Sequence, residues 1–264
     1  MSHIEALLLG ILQGLTEFLP VSSSGHLEIA NHLLGINAET NLAFTTAVHA
    51  GTVFSTIVVL RREIWGIIKG VVSFKMTPET QLFLRLLVSA VPILIVGLLL
   101  KDQVEALFGG SLLVVGLMLI LTAILLTVSH YAPQRNKEVS ILGAFIIGIG
   151  QAVAVMPGLS RSGTTISTGL MLGVKRENVA KFSFLMVIIP IVGATLLEVL
   201  EGDFGSGENA LDWSTVAVGF FSAFVSGLLA CKAMIRLVSR SHMLWFALYC
   251  LVVGGAITIY NLIG

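Results

Sequence analysis

The chain has 264 residues, of which 56% are apolar and only 11% charged, with 15 basic and 15 acidic residues and a formal net charge of zero. A mean hydropathy of +0.97 leaves too little polar material to clothe a water-soluble globule. The balanced charge excludes the basic surplus that marks a nucleic-acid partner, so the expected surroundings are a lipid bilayer and no nucleic acid.

The opening residues, Met1-Ser2-His3-Ile4-Glu5, lack the positive n-region and small-residue cleavage site of a secretory signal, so the first apolar stretch is expected to belong to the mature fold. That stretch, 4–34, is long enough to cross but is broken by Pro20-Val21-Ser22-Ser23-Ser24-Gly25. Apolar runs of about 20 residues, the length that crosses about 30 Å of hydrocarbon, predict spans next at 41–60, 80–100 and 111–130. A second broken stretch, 141–173, is interrupted by Pro157-Gly158-Leu159-Ser160-Arg161-Ser162-Gly163, and spans follow at 178–198, 214–235 and 243–263. Non-helical backbone at membrane depth survives only where protein or a wet cavity satisfies its hydrogen bonds. Each broken stretch is therefore predicted to be a re-entrant helix-loop-helix. Cys231 and Cys250 lie in apolar runs and form neither a disulfide framework nor a zinc pattern, which predicts a packing role.

The two breaks repeat each other at a constant offset of 138 residues: Gln13 falls on Gln151, Ser22 on Ser160, Ser24 on Ser162, Gly25 on Gly163, Gly35 on Gly173 and Phe44 on Phe182. The expected fold is an all-α polytopic membrane protein, one integrated domain of two repeats, 1–135 and 139–264, each a hairpin followed by three spans. Three is odd, so the second repeat is expected to be inverted relative to the first, with the hairpins entering from opposite faces and meeting near the midplane. Gly10 with Gly14, and Gly169 with Gly173, are four apart on a helical face and are expected to let hairpin backbones approach closely.

On this topology thirteen of the fifteen Lys and Arg gather on one side: Arg61, Arg62, Lys69, Lys75, Arg85, Arg135, Lys137, Lys175, Arg176, Lys181, Lys232, Arg236 and Arg240. The other side has Lys101 and the acidic segment Glu198, Glu201, Asp203, Glu208 and Asp212. The excess of basic residues marks the cytoplasmic side, so both termini are expected outside.

Intramembrane charge is costly and therefore a functional candidate, and the centres of the broken regions hold one carboxylate, Glu17, and one guanidinium, Arg161. The alternative is a purely structural ion pair joining the halves. Gln13 and Glu17, four apart, share a helix face. A helix restarting after Ser22-Ser23-Ser24, and another after Ser160, would aim positive dipole ends at the midplane, where Arg161 can add a two-pronged donor, so an anionic ligand is expected. Ser23 and His26, three apart, bring a hydroxyl and a base to the same helix, although a serine run also serves as a cap and His26 can bond a backbone carbonyl. His49 and Glu28 are weaker candidates near predicted boundaries.

Gln13-Gly-Leu-Thr-Glu17-Phe-Leu-Pro20-Val-Ser-Ser-Ser-Gly-His26 and Pro157-Gly-Leu-Ser-Arg161-Ser-Gly163-Thr-Thr-Ile-Ser167 resemble, in order and spacing, the two motifs of the BacA/UppP undecaprenyl-pyrophosphate phosphatases. The resemblance implies a bacterial inner-membrane enzyme that acts on a polyprenyl pyrophosphate, recycles the cell-wall carrier lipid and confers bacitracin resistance. It implies catalytic roles for Ser23, Glu17, His26 and Arg161, while Gln13 and the residues around the two helix starts, Ser22, Ser24, Gly25, Ser160, Ser162, Gly163 and Thr164, are expected to bind substrate. It further implies Mg²⁺ or Ca²⁺ held by Glu17, substrate phosphate and water. Gln13 stands where family members carry an acid or an amide, which disfavours a site built on two carboxylates. A homodimer is compatible with this picture. The residues leave open whether Ser23, His26 or water attacks phosphorus, and the competing class is a transporter or lipid flippase of inverted-repeat architecture.

Overall fold

In the computed structural model of the chain, the residues described are 1–36, 42–100, 103–104, 111–193, 212–239 and 242–263. They form helices α1 (His3–Phe18), α2 (Ser23–Leu34), α3 (Leu42–Val59), α4 (Arg61–Val72), α5 (Pro78–Leu99) and α6 (Leu112–His130). The chain continues through α7 (Ile141–Val153), α8 (Arg161–Met171), α9 (Arg176–Met186), α10 (Trp213–Ser239) and α11 (Met243–Ile263). The helix starts are written in the sequence. Ser2 and Glu5 close a capping box on α1, Thr77 caps α5 with Pro78 in the first turn, and Ser140 caps α7.

By length and composition α5, α6, α10 and α11 can each cross a membrane, and α3 with α4 forms a bent pair that makes a fifth candidate. The predicted span 178–198 is interrupted. Helix α9 ends at Met186, Val187 is a turn, residues 188–193 are helical, and 194–198 lie outside the described residues. Lys101, Glu198, Glu201, Asp203, Glu208 and Arg240 also lie outside them. The sequence pattern missed α4, which leaves α3 at a 78° bend. The turn falls at Leu60, with φ −98° and ψ 22°, immediately before Arg61 and Arg62.

Both broken stretches are helix–loop–helix hairpins, α1–α2 and α7–α8. Gly35 and Gly173, the positions matched by the 138-residue offset, both adopt positive φ, 66° and 81°, just beyond the second helix of each hairpin. A side chain is strained there, which explains glycine at both.

Helix packing follows the same correspondence. The first helix of each hairpin lies along the second span of the opposite half, α1 on α10 and α7 on α5, while the last spans of the two halves, α6 and α11, pack on each other. Gly10 and Gly14 permit the first contact, since a Cβ at either would lie 2.5 Å from a carbonyl oxygen of α10, Gly219 or Ala223. Gly148, at Gly10's repeat position, makes the matching contact with the Ser89 carbonyl of α5. The glycines thus seat hairpins against spans rather than against each other. Gly169 likewise faces Val179 of α9, and Gly173 faces Arg135. The main buried core joins Phe18, Leu119, Leu126, Ile166, Phe182, Phe184 and Met234 from both halves. Cys231 and Cys250 are buried free thiols within it, as packing residues.

Gly158, in the second break, has φ +89°, and a Cβ there would lie 2.5 Å from the Val115 carbonyl oxygen of α6. Gly158→Ala is expected to cost about 1–3 kcal/mol from the backbone conformation, before any clash is counted. The purified variant should melt several degrees below the wild type in detergent. An unchanged melting temperature would show that the break can move away from α6.

Candidate functional site

The first hairpin divides its three serines by task. Ser22 is the cap of α2: its hydroxyl accepts from the Gly25 N–H at 3.3 Å and lies 3.3 Å from the Ser24 hydroxyl. To do this Ser22 takes φ 71°, a conformation unusual for a residue with a side chain. Ser23, the first residue of α2, is thereby released from capping. Its hydroxyl donates instead to Oε2 of Glu17 at 2.7 Å, across the break. One turn earlier on α1, Gln13 Nε2 donates to the same oxygen at 3.1 Å. Gln13 is fully buried, and its Oε1 finds no hydrogen-bond partner among the described residues.

The second hairpin repeats the cap and changes the next residue. Ser160 caps α8 by accepting from the Gly163 N–H at 3.0 Å, while its own N–H is held by Thr122 Oγ1 of α6 at 3.1 Å. Arg161 follows where the first hairpin has Ser23. Arg161 Nη2 donates to Oε1 of Glu17 at 2.5 Å, and Nη1 donates to the Ser183 carbonyl of α9 at 3.2 Å. Ser183 in turn shares a 2.7 Å hydrogen bond with the Thr165 hydroxyl on α8. The guanidinium is therefore aimed from two sides. Ser162 Oγ donates to the Leu19 carbonyl at 3.1 Å, and a Cβ on Gly25 would lie 2.9 Å from Gly158 Cα. The two tips touch.

One carboxylate thus gathers the site: Ser23 and Gln13 on Oε2, Arg161 on Oε1. Glu17 is 8% exposed and Arg161 15%. An unpaired charge at that depth would be strongly disfavoured, so each ion requires the other. Glu17 and Arg161 do form an ion pair, and Ser23 is bonded into it. The N-terminal ends of α2 and α8, whose first N–H groups have no partner within their own helices, converge on the same place. An oxyanion entering here would meet two positive helix ends and a guanidinium.

His26 does not join them. Its Nδ1 is 2.7 Å from the Ser22 carbonyl, which can only accept, so the ring carries its proton there. Nε2 lies 2.7 Å from the Tyr249 hydroxyl of α11, and the two rings stack at 12° with centroids 5.6 Å apart. The expected meeting of Ser23 and His26 is replaced by Ser23–Glu17, because Ser22 draws the imidazole back over the helix start. His49 of α3 lies closer to the carboxylate, with Nε2 4.0 Å from Glu17 Oε2 and Nδ1 on the Thr45 carbonyl at 2.8 Å. In the second hairpin Thr164 and Gln151, at the repeat positions of His26 and Gln13, are buried, and the Thr164 hydroxyl and both Gln151 amide atoms have no hydrogen-bond partner among the described residues.

Tyr249, Thr122 and Ser183 escaped the sequence analysis. Each is one polar residue inside an apolar or mixed helix, and nothing in helical spacing distinguishes such a residue from one that bonds its own backbone. Only the crossing of α6, α9 and α11 over the breaks brings them to the tips.

Fold and site together define a polytopic helical membrane protein in which a buried Glu17–Arg161 pair lies where two helix–loop–helix tips meet. The chain matches the model of the bacitracin resistance protein BacA family over residues 6–256, and it belongs to that family. It is 55% identical over 258 residues to an undecaprenyl-diphosphatase of Parabacteroides distasonis, with 96% of each chain covered. An undecaprenyl-diphosphatase of Bacteroides fragilis is 54% identical with the same coverage. One from Korarchaeum cryptofilum is 38% identical, covering 97% of this chain and 98% of its own.

Proposed function

We propose that this chain is an integral membrane undecaprenyl-diphosphatase that hydrolyses undecaprenyl pyrophosphate to undecaprenyl phosphate and inorganic phosphate. The observation that carries the mechanism is the 2.7 Å hydrogen bond from Ser23 Oγ to a carboxylate whose other oxygen faces Arg161. The pyrophosphate draws Arg161 from Glu17 onto its own oxygens and rests against the N-terminal ends of α2 and α8. Glu17, released by Arg161, accepts the Ser23 proton as Oγ attacks the terminal phosphorus. The bond from that phosphorus to the bridging oxygen breaks, and undecaprenyl phosphate leaves with the electron pair. Water then attacks the phosphoserine, inorganic phosphate departs, and Ser23 recovers its proton. Gln13 holds Glu17 in place. His26, bonded at both nitrogens, orients the start of α2, while Ser22, Ser24, Gly25, Ser160, Ser162, Gly163 and Thr164 shape the phosphate cradle.

Mg²⁺ or Ca²⁺ belongs to this proposal as a companion of the substrate. Glu17 and, one turn earlier on α1, Gln13, whose Oε1 has no partner among the described residues, offer hard oxygen donors that would suit such an ion. No group of three or more His, Cys, Asp or Glu residues capable of holding a metal occurs among the described residues, so substrate and water would complete the shell. Such an ion would supply neutralisation of pyrophosphate charge.

The architecture proposed is an inverted repeat in the bacterial inner membrane, with the hairpins entering from opposite faces. The paired glycines, Gly10 with Gly148 and Gly35 with Gly173, support it, as does the exchange of spans between halves. The charge distribution supports an orientation with both termini outside. Cysteines introduced at Gly205 and Gly207, which lie outside the described residues, should react with an impermeant thiol reagent added to intact cells, and those at Lys75 or Asn136 should not. The reverse pattern would turn the molecule over.

Purified protein in detergent, given undecaprenyl pyrophosphate, should release inorganic phosphate and leave undecaprenyl phosphate. Substrate recovered intact would favour the transporter class, which moves a lipid without breaking the anhydride.

A further inference from the structure

Helix α4 has one docked face and one open face. On the docked side Ile67 is buried, and a Cβ on Gly70 would lie 2.9 Å from Thr77 Oγ1 at the start of α5. Glu63, its one acidic residue, is drawn to Lys181 of α9 at 3.0 Å. The open side carries two chemistries. Trp65, Ile68 and Val72 are 58%, 46% and 66% exposed, and the chain just beyond adds Phe74 at 96% and Met76 at 71%. Beside this apolar stripe stand the exposed cations Arg61, Arg62 and Lys69, with Lys75 after the helix. Lys69 Nζ lies 5.5 Å over the Trp65 ring.

Water would disfavour the apolar stripe and hydrocarbon would disfavour the cations. The headgroup layer accepts both, with the indole and aliphatic side chains below and the charges above. The 78° bend from α3 supplies the orientation: with α3 through the bilayer, α4 runs along its surface. The apolar stripe also continues the lipid-facing side of α3, where Phe54 and Val58 are 51% and 39% exposed. We infer that α4 is a headgroup-level docking surface selective for anionic phospholipids. The only charge of opposite sign on the helix is occupied by Lys181, so the open face is uniformly positive. The docking surface is one ion pair from the machinery, because α9 carries both Lys181 and the Ser183 carbonyl that holds Arg161.

The test makes Trp65 the sole tryptophan, through Trp213→Phe and Trp245→Phe, and reconstitutes the full chain in vesicles of phosphatidylcholine with or without phosphatidylglycerol. Trp65 emission should be shielded from acrylamide and quenched by phosphatidylcholine brominated high on the acyl chains. Energy transfer from Trp65 to acyl-labelled phosphatidylglycerol should exceed transfer to equally labelled phosphatidylcholine by about twofold or more. That preference should vanish when Arg61→Gln, Arg62→Gln, Lys69→Gln and Lys75→Gln are combined, with the shielding retained. Free access of acrylamide in the wild-type background would place α4 in water, and equal transfer to the two lipids would remove the charge selectivity. Shielding that appears only at high protein-to-lipid ratio would show that a second copy of the chain covers the face. Each of these three results overturns the inference.

Discussion

Ser23→Ala should lower turnover by a factor on the order of 10³ or more while leaving affinity for a non-hydrolysable pyrophosphate analogue nearly unchanged. The reason lies in how the hairpin distributes its hydroxyls. The cap of α2 is Ser22, whose hydroxyl accepts the Gly25 N–H, so removing the Ser23 hydroxyl leaves the helix start intact. What disappears is the group bonded to Glu17 Oε2 at 2.7 Å. In the proposed mechanism binding rests on Arg161 and the two helix ends, which the substitution does not touch. Ser22→Ala supplies the contrast: loss of a cap costs about 0.5–2 kcal/mol of stability and should reduce activity modestly. Turnover and melting temperature measured side by side separate the two serines. A Ser23→Ala protein with near-normal turnover would remove the serine from the chemistry and give the attack to water.

Arg161→Lys should lower kcat/KM at least about tenfold with a much smaller change in stability. Arg161→Ala is the less informative variant, because leaving Glu17 buried without its cation costs about 3–5 kcal/mol and confuses folding with catalysis. Lysine keeps the charge and loses the planar fork. In the wild type one prong meets Glu17 Oε1 and the other the Ser183 carbonyl, so the guanidinium is held in plane before any phosphate arrives. An ammonium group is a compact point charge and cannot fill both positions. Steady-state kinetics and thermal unfolding of the purified variant check the expectation. Normal kinetics would mean that the pair only pins the hairpins together.

The sequence carried the hairpins clearly, because Pro20 and Pro157 with their serines and glycines interrupt runs otherwise long enough to cross. It carried the identity of the charged pair as well, since Glu17 and Arg161 are the strong charges at the centres of the broken regions. The partner of each polar group was less visible. Gly10 and Gly14 announced a close approach, but helical spacing cannot say which helix approaches, and the structure supplies α10. Ser23 and His26 have the spacing of a shared face, yet the left-handed conformation of Ser22 rotates the start of α2 so that the serine meets α1 and the imidazole meets α11. Helix α4 was hidden for a different reason. Arg61 and Arg62 end an apolar run, and a run that ends in charge looks the same whether the chain becomes a loop or turns along the membrane surface.

The most direct measurement of the central claim uses undecaprenyl pyrophosphate carrying ³²P in its terminal phosphate, mixed with the purified protein and quenched in acid within the first turnover. Wild-type protein should release labelled inorganic phosphate, and the quenched chain should carry label on the peptide containing Ser23. Glu17→Gln protein should bind the lipid and show neither. Labelled phosphate released without any labelled Ser23 peptide would contradict attack by the serine, and label remaining entirely on the lipid would contradict the phosphatase itself.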